Sequence, residues 1–190
     1  MCKLMSEKLF VHQYQDLITL FDRCFGKEFN TRLIKGDDEP IYLPANEAHS
    51  YNALYFAHGF FSSALHECSH WLIAGEERRK QVDFGYWYMP DGRSAEQQAL
   101  FQHVEVKPQA LEWILSKAAG HKFHVSIDNL NGGAEAEADT VAFKKAVYEQ
   151  VVYYCQHGLP ARAQKFRDAL SSFYEQSKIL RVEDFSLEEL

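Results

Sequence analysis

Apolar residues recur at near-helical spacing from 7 to 25 (Leu9, Phe10, Tyr14, Leu17, Ile18, Phe21, Phe25), and Gly26 follows as a stop signal. This predicts a helix with one buried face. The next stretch, FNTRLIKGDDEPIYLPA (29–45), carries Gly36, two aspartates and two prolines, which predict a loop with a short strand near Ile41–Leu43. A second strand is expected over 51–57. Ser62 or Ser63 is placed to cap a helix running to Ala74, with Gly75 at its end. The alternation in VDFGYWY (82–88) predicts another strand, turned by Pro90, Asp91 and Gly92.

Helical patterns dominate the second half. Ser94 and Gln97 have capping-box spacing, and Pro108 opens a helix that Gly120 ends. FHVSI (123–127) alternates as a strand, and DNLNGG after it is a loop. Two further helices, about 140–157 and 160–176, are divided by Gly158, Leu159 and Pro160. The acidic tail, 178–190, is expected to be loosely held, like the extra N-terminal piece at 1–10. With no repeat or long linker, the pattern predicts a single α+β domain over 1–190: a small mixed sheet of four or five strands with packed helices, compatible with a zincin-like helix arrangement.

Composition narrows the functional classes. A net charge of -7 argues against nucleic-acid binding, because a phosphate backbone favours a basic face. No apolar run resembles a signal peptide or a membrane span, so a soluble cytoplasmic protein with no membrane partner is expected. Four dispersed cysteines, none in a CxxC pair, fit reduced thiols.

The chemistry concentrates at ALHECSHWL (64–72). On a helix, His66 and His70 lie about 40° apart around the axis and can both reach one cation. Glu67 points about 100° away from His66, so it is poorly placed as a third ligand. In zinc peptidases the glutamate of HExxH is the base for an attacking water. A chain of this composition gives roughly 0.04 such matches by chance. Third-ligand candidates downstream are Asp83, His103, Glu105, Glu112 and His124. His103 and Glu105 also form the HxE half of a jelly-roll oxygenase triad, with His157 and Arg167 beyond; too few strands are expected for that fold.

Five runs carry a family resemblance: FNTRLIKGDDEPIYLPA (29–45), FAHGF (56–60), ALHECSHW (64–71), VDFGYWYMPDGR (82–93) and VEVKPQALEW (104–113). Together they resemble the bacterial elongation factor P hydroxylases, from about residue 14 to 175. The resemblance implies hydroxylation of the modified lysine of elongation factor P. It further implies a non-haem metal centre, most plausibly Fe(II), with His66, His70 and Glu105 as ligands. Cys68 is an unusual filler within the motif, and neither it nor the N-terminal extension removes a ligand.

Two histidines and one carboxylate leave coordination positions open, which suits Fe(II) with O2 as co-substrate; the same ligands also hold catalytic zinc or another divalent metal. A zinc-dependent peptidase of the HExxH type is therefore the alternative. In an oxygenase, Glu67 is expected to orient a ligand by hydrogen bonding rather than serve as a base. For the substrate, Asp83, Tyr86 and Trp87 are candidate walls around a lysine ammonium, and His58 a candidate for lining the site. Arg78, Arg79 and Lys80 are candidate docking residues for an acidic protein surface. The electron source, any 2-oxo acid co-substrate and the oligomeric state are not encoded in these patterns.

Overall fold

The computed structural model describes residues 11–190 except 38, 85–94 and 128–133, without the side chains of 95–99 and 134–137. Helix α1 (Tyr14–Phe21) buries Leu17, Leu20 and Phe21, then widens into a π turn over Asp22–Gly26 that buries Cys24 and Phe25. The expected helix over 7–25 is therefore seen from Tyr14 onward; residues 1–10 lie outside the described ones.

Three strands form the sheet among the described residues: β1 (Thr31–Lys35), β2 (Ile41–Leu43) and β3 (Asn52–Phe56). Their order is β1-β3-β2, with β3 parallel to β1 and antiparallel to β2. The strand β1, expected as loop, alternates inward Thr31 and Leu33 with outward Arg32, and ends at exposed Lys35. Leu54 in the central strand faces Leu33 on one side and Tyr42 on the other.

Past β3 the chain reverses through His58 and Gly59, both at positive φ (59° and 71°), and enters α2 (Phe61–Ile73). A left-handed histidine is costly, and such conformations persist where surrounding structure fixes them. Here the His58 amide donates to the Asp37 carbonyl at 3.0 Å. Ser62 and Ser63 do not cap this helix, because they already lie in its first turn and Phe60 occupies the cap position. At the other end the orphan carbonyls of Leu72 and Ala74 accept from the Arg162 guanidinium, so a side chain distant in sequence does what Gly75 was expected to do.

Helix α3 (Ala95–Ala119) is unbroken, with Pro108 inside it. Proline removes one intrahelical donor, a cost of ~3 kcal/mol in an exposed helix, but burial of Ala110, Leu111, Trp113, Ile114 and Leu115 holds the following turns against the core. Left-handed Gly120 ends the helix, and the His121 amide caps the Ser116 carbonyl at 2.8 Å. Helices α4 (Ala134–His157) and α5 (Ala161–Phe173) pack on α3, the longest element. An aromatic nucleus of Phe21, Phe25, Trp71 and Phe166, with ring centroids 5.0 to 6.0 Å apart, ties α1, α2 and α5 together.

Two of the remaining expectations change and a third lies mostly outside the described residues. FHVSI forms no strand; the peptide N–H and C=O of Ser126 bond to the Gln109 side chain of α3 instead. Of the strand expected at 82–88, residues 85–88 lie outside the described ones, and Asp83 forms an antiparallel bridge with Tyr42. The acidic tail is docked rather than loose: Phe185 is buried edge-on against Trp113 at 5.1 Å, and Glu189 pairs with Lys117 at 2.7 Å. The α+β class with a small mixed sheet holds, and no described helix is long and apolar enough to cross a membrane.

Candidate metal centre

Helix α2 is buried almost all round, which is why its flanks are uncharged. His66 and His70 leave one face of it and meet α3, which brings Glu105, Gln109 and Glu112 at helical spacing of four and three. The His66 Nε2 and His70 Nε2 atoms lie 3.1 Å apart, His70 Nε2 is 3.2 Å from Glu105 Oε1, and His66 Nε2 is 3.5 Å from Glu105 Oε2. Two donors about 2.1 Å from one cation are about 3.0 Å apart at a right angle and about 3.4 Å apart at a tetrahedral one. The two Nε2 atoms and the Glu105 carboxylate are thus spaced so that they could hold one cation.

Glu112 fixes the remaining variable, the tautomer. Its Oε2 is 2.8 Å from His66 Nδ1, which donates to it, and Nε2, the nitrogen left for a cation that displaces its proton, faces His70 and Glu105. Burial would depress the His66 pKa, but the Glu112 hydrogen bond and charge, with Glu105 and Glu67, raise it to about 10. Glu105, only 2% exposed, shows the reverse balance: burial favours its neutral form, yet His70, His66 and the Gln109 amide lower its pKa to about 2. Gln109 in turn is tied to the Ser126 backbone in both directions, at 2.8 and 3.1 Å, and reaches Glu105 at 3.4 Å.

These groups open into a cavity of about 350 Å³. Its remaining walls include Glu67, His58, Ser62 and Ser63 beside the histidines, and Pro40, Phe84 and Phe101 farther round. Glu67 is 7% exposed, faces the cavity and makes no hydrogen bond to a described residue; burial raises its pKa against the pull of His66 and His70. The hydrogen bond to a candidate ligand histidine that is expected of Glu67 comes from Glu112, in the sequence a third-ligand candidate only. Its signal was the 105, 109, 112 spacing, hidden once Pro108 was taken as a helix start.

The other candidates disperse. Asp83 pairs bidentately with Arg78 and lines a separate recess of about 20 Å³ with Tyr42, Trp71, Glu67 and His70, so it does not face the main cavity. Tyr86 and Trp87 lie outside the described residues. His124 does line the cavity, whereas His103 is exposed and contributes nothing to it. His157 stacks on Tyr153 at 4.1 Å and Arg167 donates to the Lys178 carbonyl at 2.8 Å, so the jelly-roll triad does not assemble. The basic knot is committed internally: Arg78 to Asp83, Lys80 to Glu76 and Glu77, and Arg79 over the rings of Phe29 and Trp71.

Residues 20–185, most of the chain and all of this site, match the family model for elongation factor P hydroxylase. The chain belongs to the elongation factor P hydroxylase family. A Haemophilus influenzae protein named elongation factor P lysine hydroxylase is 58% identical over 176 residues, spanning 93% of this chain and 97% of that protein. All the cavity residues named above fall within the span that the hydroxylase family model matches. The tail contact of Phe185 on Trp113 is its last matched position.

Proposed function

We propose that this chain is a metal-dependent hydroxylase of the modified lysine of elongation factor P, using Fe(II) held by His66, His70 and Glu105 and taking O2 as co-substrate. One observation carries the reading: two histidine Nε2 atoms stand 3.1 Å apart, each 3.2 to 3.5 Å from an oxygen of the Glu105 carboxylate, and open on a cavity in a chain of the elongation factor P hydroxylase family. Fe(II) in a two-histidine, one-carboxylate set with open positions supplies the O2 activation needed to oxygenate an unactivated carbon.

The protein's own work is preorganisation. Glu112 keeps the proton on His66 Nδ1, and Gln109 steers Glu105 while tying the Ser126 backbone to α3. Pro40, Phe84 and Phe101 offer apolar wall to the methylenes of a lysine side chain. Glu67 holds no ligand in place, which frees it to face substrate.

The test is reconstitution. Chelator-stripped protein should regain hydroxylation of elongation factor P with Fe(II) and a reductant but not with Zn(II). Glu67→Gln then separates the alternative, since a peptidase would lose nearly all activity and a hydroxylase should keep most of it. Cleavage of elongation factor P by the zinc form, abolished in Glu67→Gln, would overturn the hydroxylase reading.

A further inference from the structure

The cavity runs from an exposed rim to a buried floor. Glu39, His58 and Ser62 are exposed at its edge, whereas Glu67, His70 and Glu105 are buried. The His66 side chain lies between them, 26% exposed against 9% for His70. Successive helical residues turn by about 100°, so Glu67 stands about 60° beyond His70 on the side away from His66. It is the carboxylate past the ligand cluster. Glu67 and His70 also border the separate recess of about 20 Å³, which has room for about one water and so stops a side chain there.

Four glutamates line the cavity, and among the described residues no lysine or arginine does. Glu105 and Glu112 are committed, one to the ligand cluster and one to His66 Nδ1, and together they offset the charge of a divalent cation. Glu67 is 7% exposed, borders the cavity and makes no hydrogen bond to a described residue. A buried carboxylate in that position is costly unless an occupant of the cavity satisfies it. Arg78 and Arg79, which line the recess, are engaged by Asp83 and by the rings of Phe29 and Trp71.

Resting on the proposed hydroxylase reading, we infer that Glu67 is the specificity-determining carboxylate that receives the terminal ammonium of the substrate side chain. A side chain entering the cavity keeps its backbone end at the rim, so its terminus travels deepest. Its methylenes pass Pro40, Phe84 and Phe101 and lie beside the histidines, and the ammonium reaches Glu67 beyond them. One uncommitted buried carboxylate matches one positive charge. A neutral side chain of the same length leaves Glu67 buried and unpaired, and is selected against.

A double-mutant cycle on binding tests this under anaerobic conditions, so that no turnover intervenes, with both proteins loaded to equal iron per chain. Dissociation constants are measured for wild type and Glu67→Gln against elongation factor P carrying its lysine modification and against the form with methionine at that position. Wild type should prefer the lysine form, and Glu67→Gln should weaken that form alone about ten- to a hundredfold, the loss of one buried charge-assisted hydrogen bond. In turnover the variant should raise KM by a similar factor with kcat held, because Glu67 holds the chain and transfers no proton. A preference for lysine that survives in Glu67→Gln, or equal weakening of both forms, would overturn the assignment of Glu67 and leave the hydroxylase reading standing. Absence of that preference in wild type overturns it as well, and if elongation factor P also gains no oxygen in air the hydroxylase reading falls with it.

Discussion

Glu112→Gln preserves side-chain volume at a position 7% exposed and removes the charge that faces His66 Nδ1. The amide oxygen can still accept from Nδ1, but a neutral acceptor makes a weaker bond than a carboxylate. The amide nitrogen can also donate, which would move the proton to Nε2 and turn it against His70 Nε2, 3.1 Å away, and Glu105. Loss of such an outer partner typically costs 10- to 100-fold in metal affinity. That is about 1.4 to 2.7 kcal/mol. Glu112→Gln should fall near the lower limit and Glu112→Ala near the upper. The assay is anaerobic titration with Fe(II) or Co(II) against a chromophoric chelator, with the urea midpoint as a check on folding. Wild-type metal affinity in Glu112→Gln would refute the argument that this carboxylate sets the tautomer.

Four further outcomes follow from the packing. Arg162→Met should destabilise the protein by about 1.5 to 3 kcal/mol in urea unfolding, since Arg162 caps the end of α2 and stacks 4.7 Å over Trp71; an unchanged midpoint would remove that role. Phe185→Ala should cost about 3 kcal/mol, because the ring is buried against Trp113, whereas a loose tail would give a value near zero. Burial raises the Tyr154 pKa to about 12, above its unfolded value near 10. Stability from its neutral form is therefore complete below pH ~10 and is lost toward pH ~12, about 3 kcal/mol in all, so Tyr154→Phe should flatten the alkaline limb of a stability profile. Burial likewise pushes the Cys24 and Cys68 thiols up, so both should resist alkylation at pH 8 until the protein is unfolded, as peptide mass analysis would show.

What was legible in the chain was local. The i, i+4 histidines and their uncharged flanks place α2 and its buried character, because burial on all sides demands that composition. What lay hidden depended on partners distant in sequence. Pro108 is tolerated inside α3 because the turns after it are held by the core, and a proline-based break separates Glu105 from Glu112 on paper while the real helix joins them. FHVSI alternates like a strand, but its Ser126 backbone pairs with the Gln109 side chain rather than with a neighbouring strand. Asp83 sits in an alternating aromatic run that looks like a substrate wall, yet Arg78, five residues earlier, neutralises it. Charge pairing of that kind leaves no periodic signal.

The most direct measurement is the intact mass of elongation factor P, carrying its lysine modification, after incubation in air with Fe(II), a reductant and each of wild type, His66→Ala, His70→Ala and Glu105→Ala. The account expects a product one oxygen atom heavier with wild type alone. The same added mass from any of the three variants would contradict a centre built from these ligands.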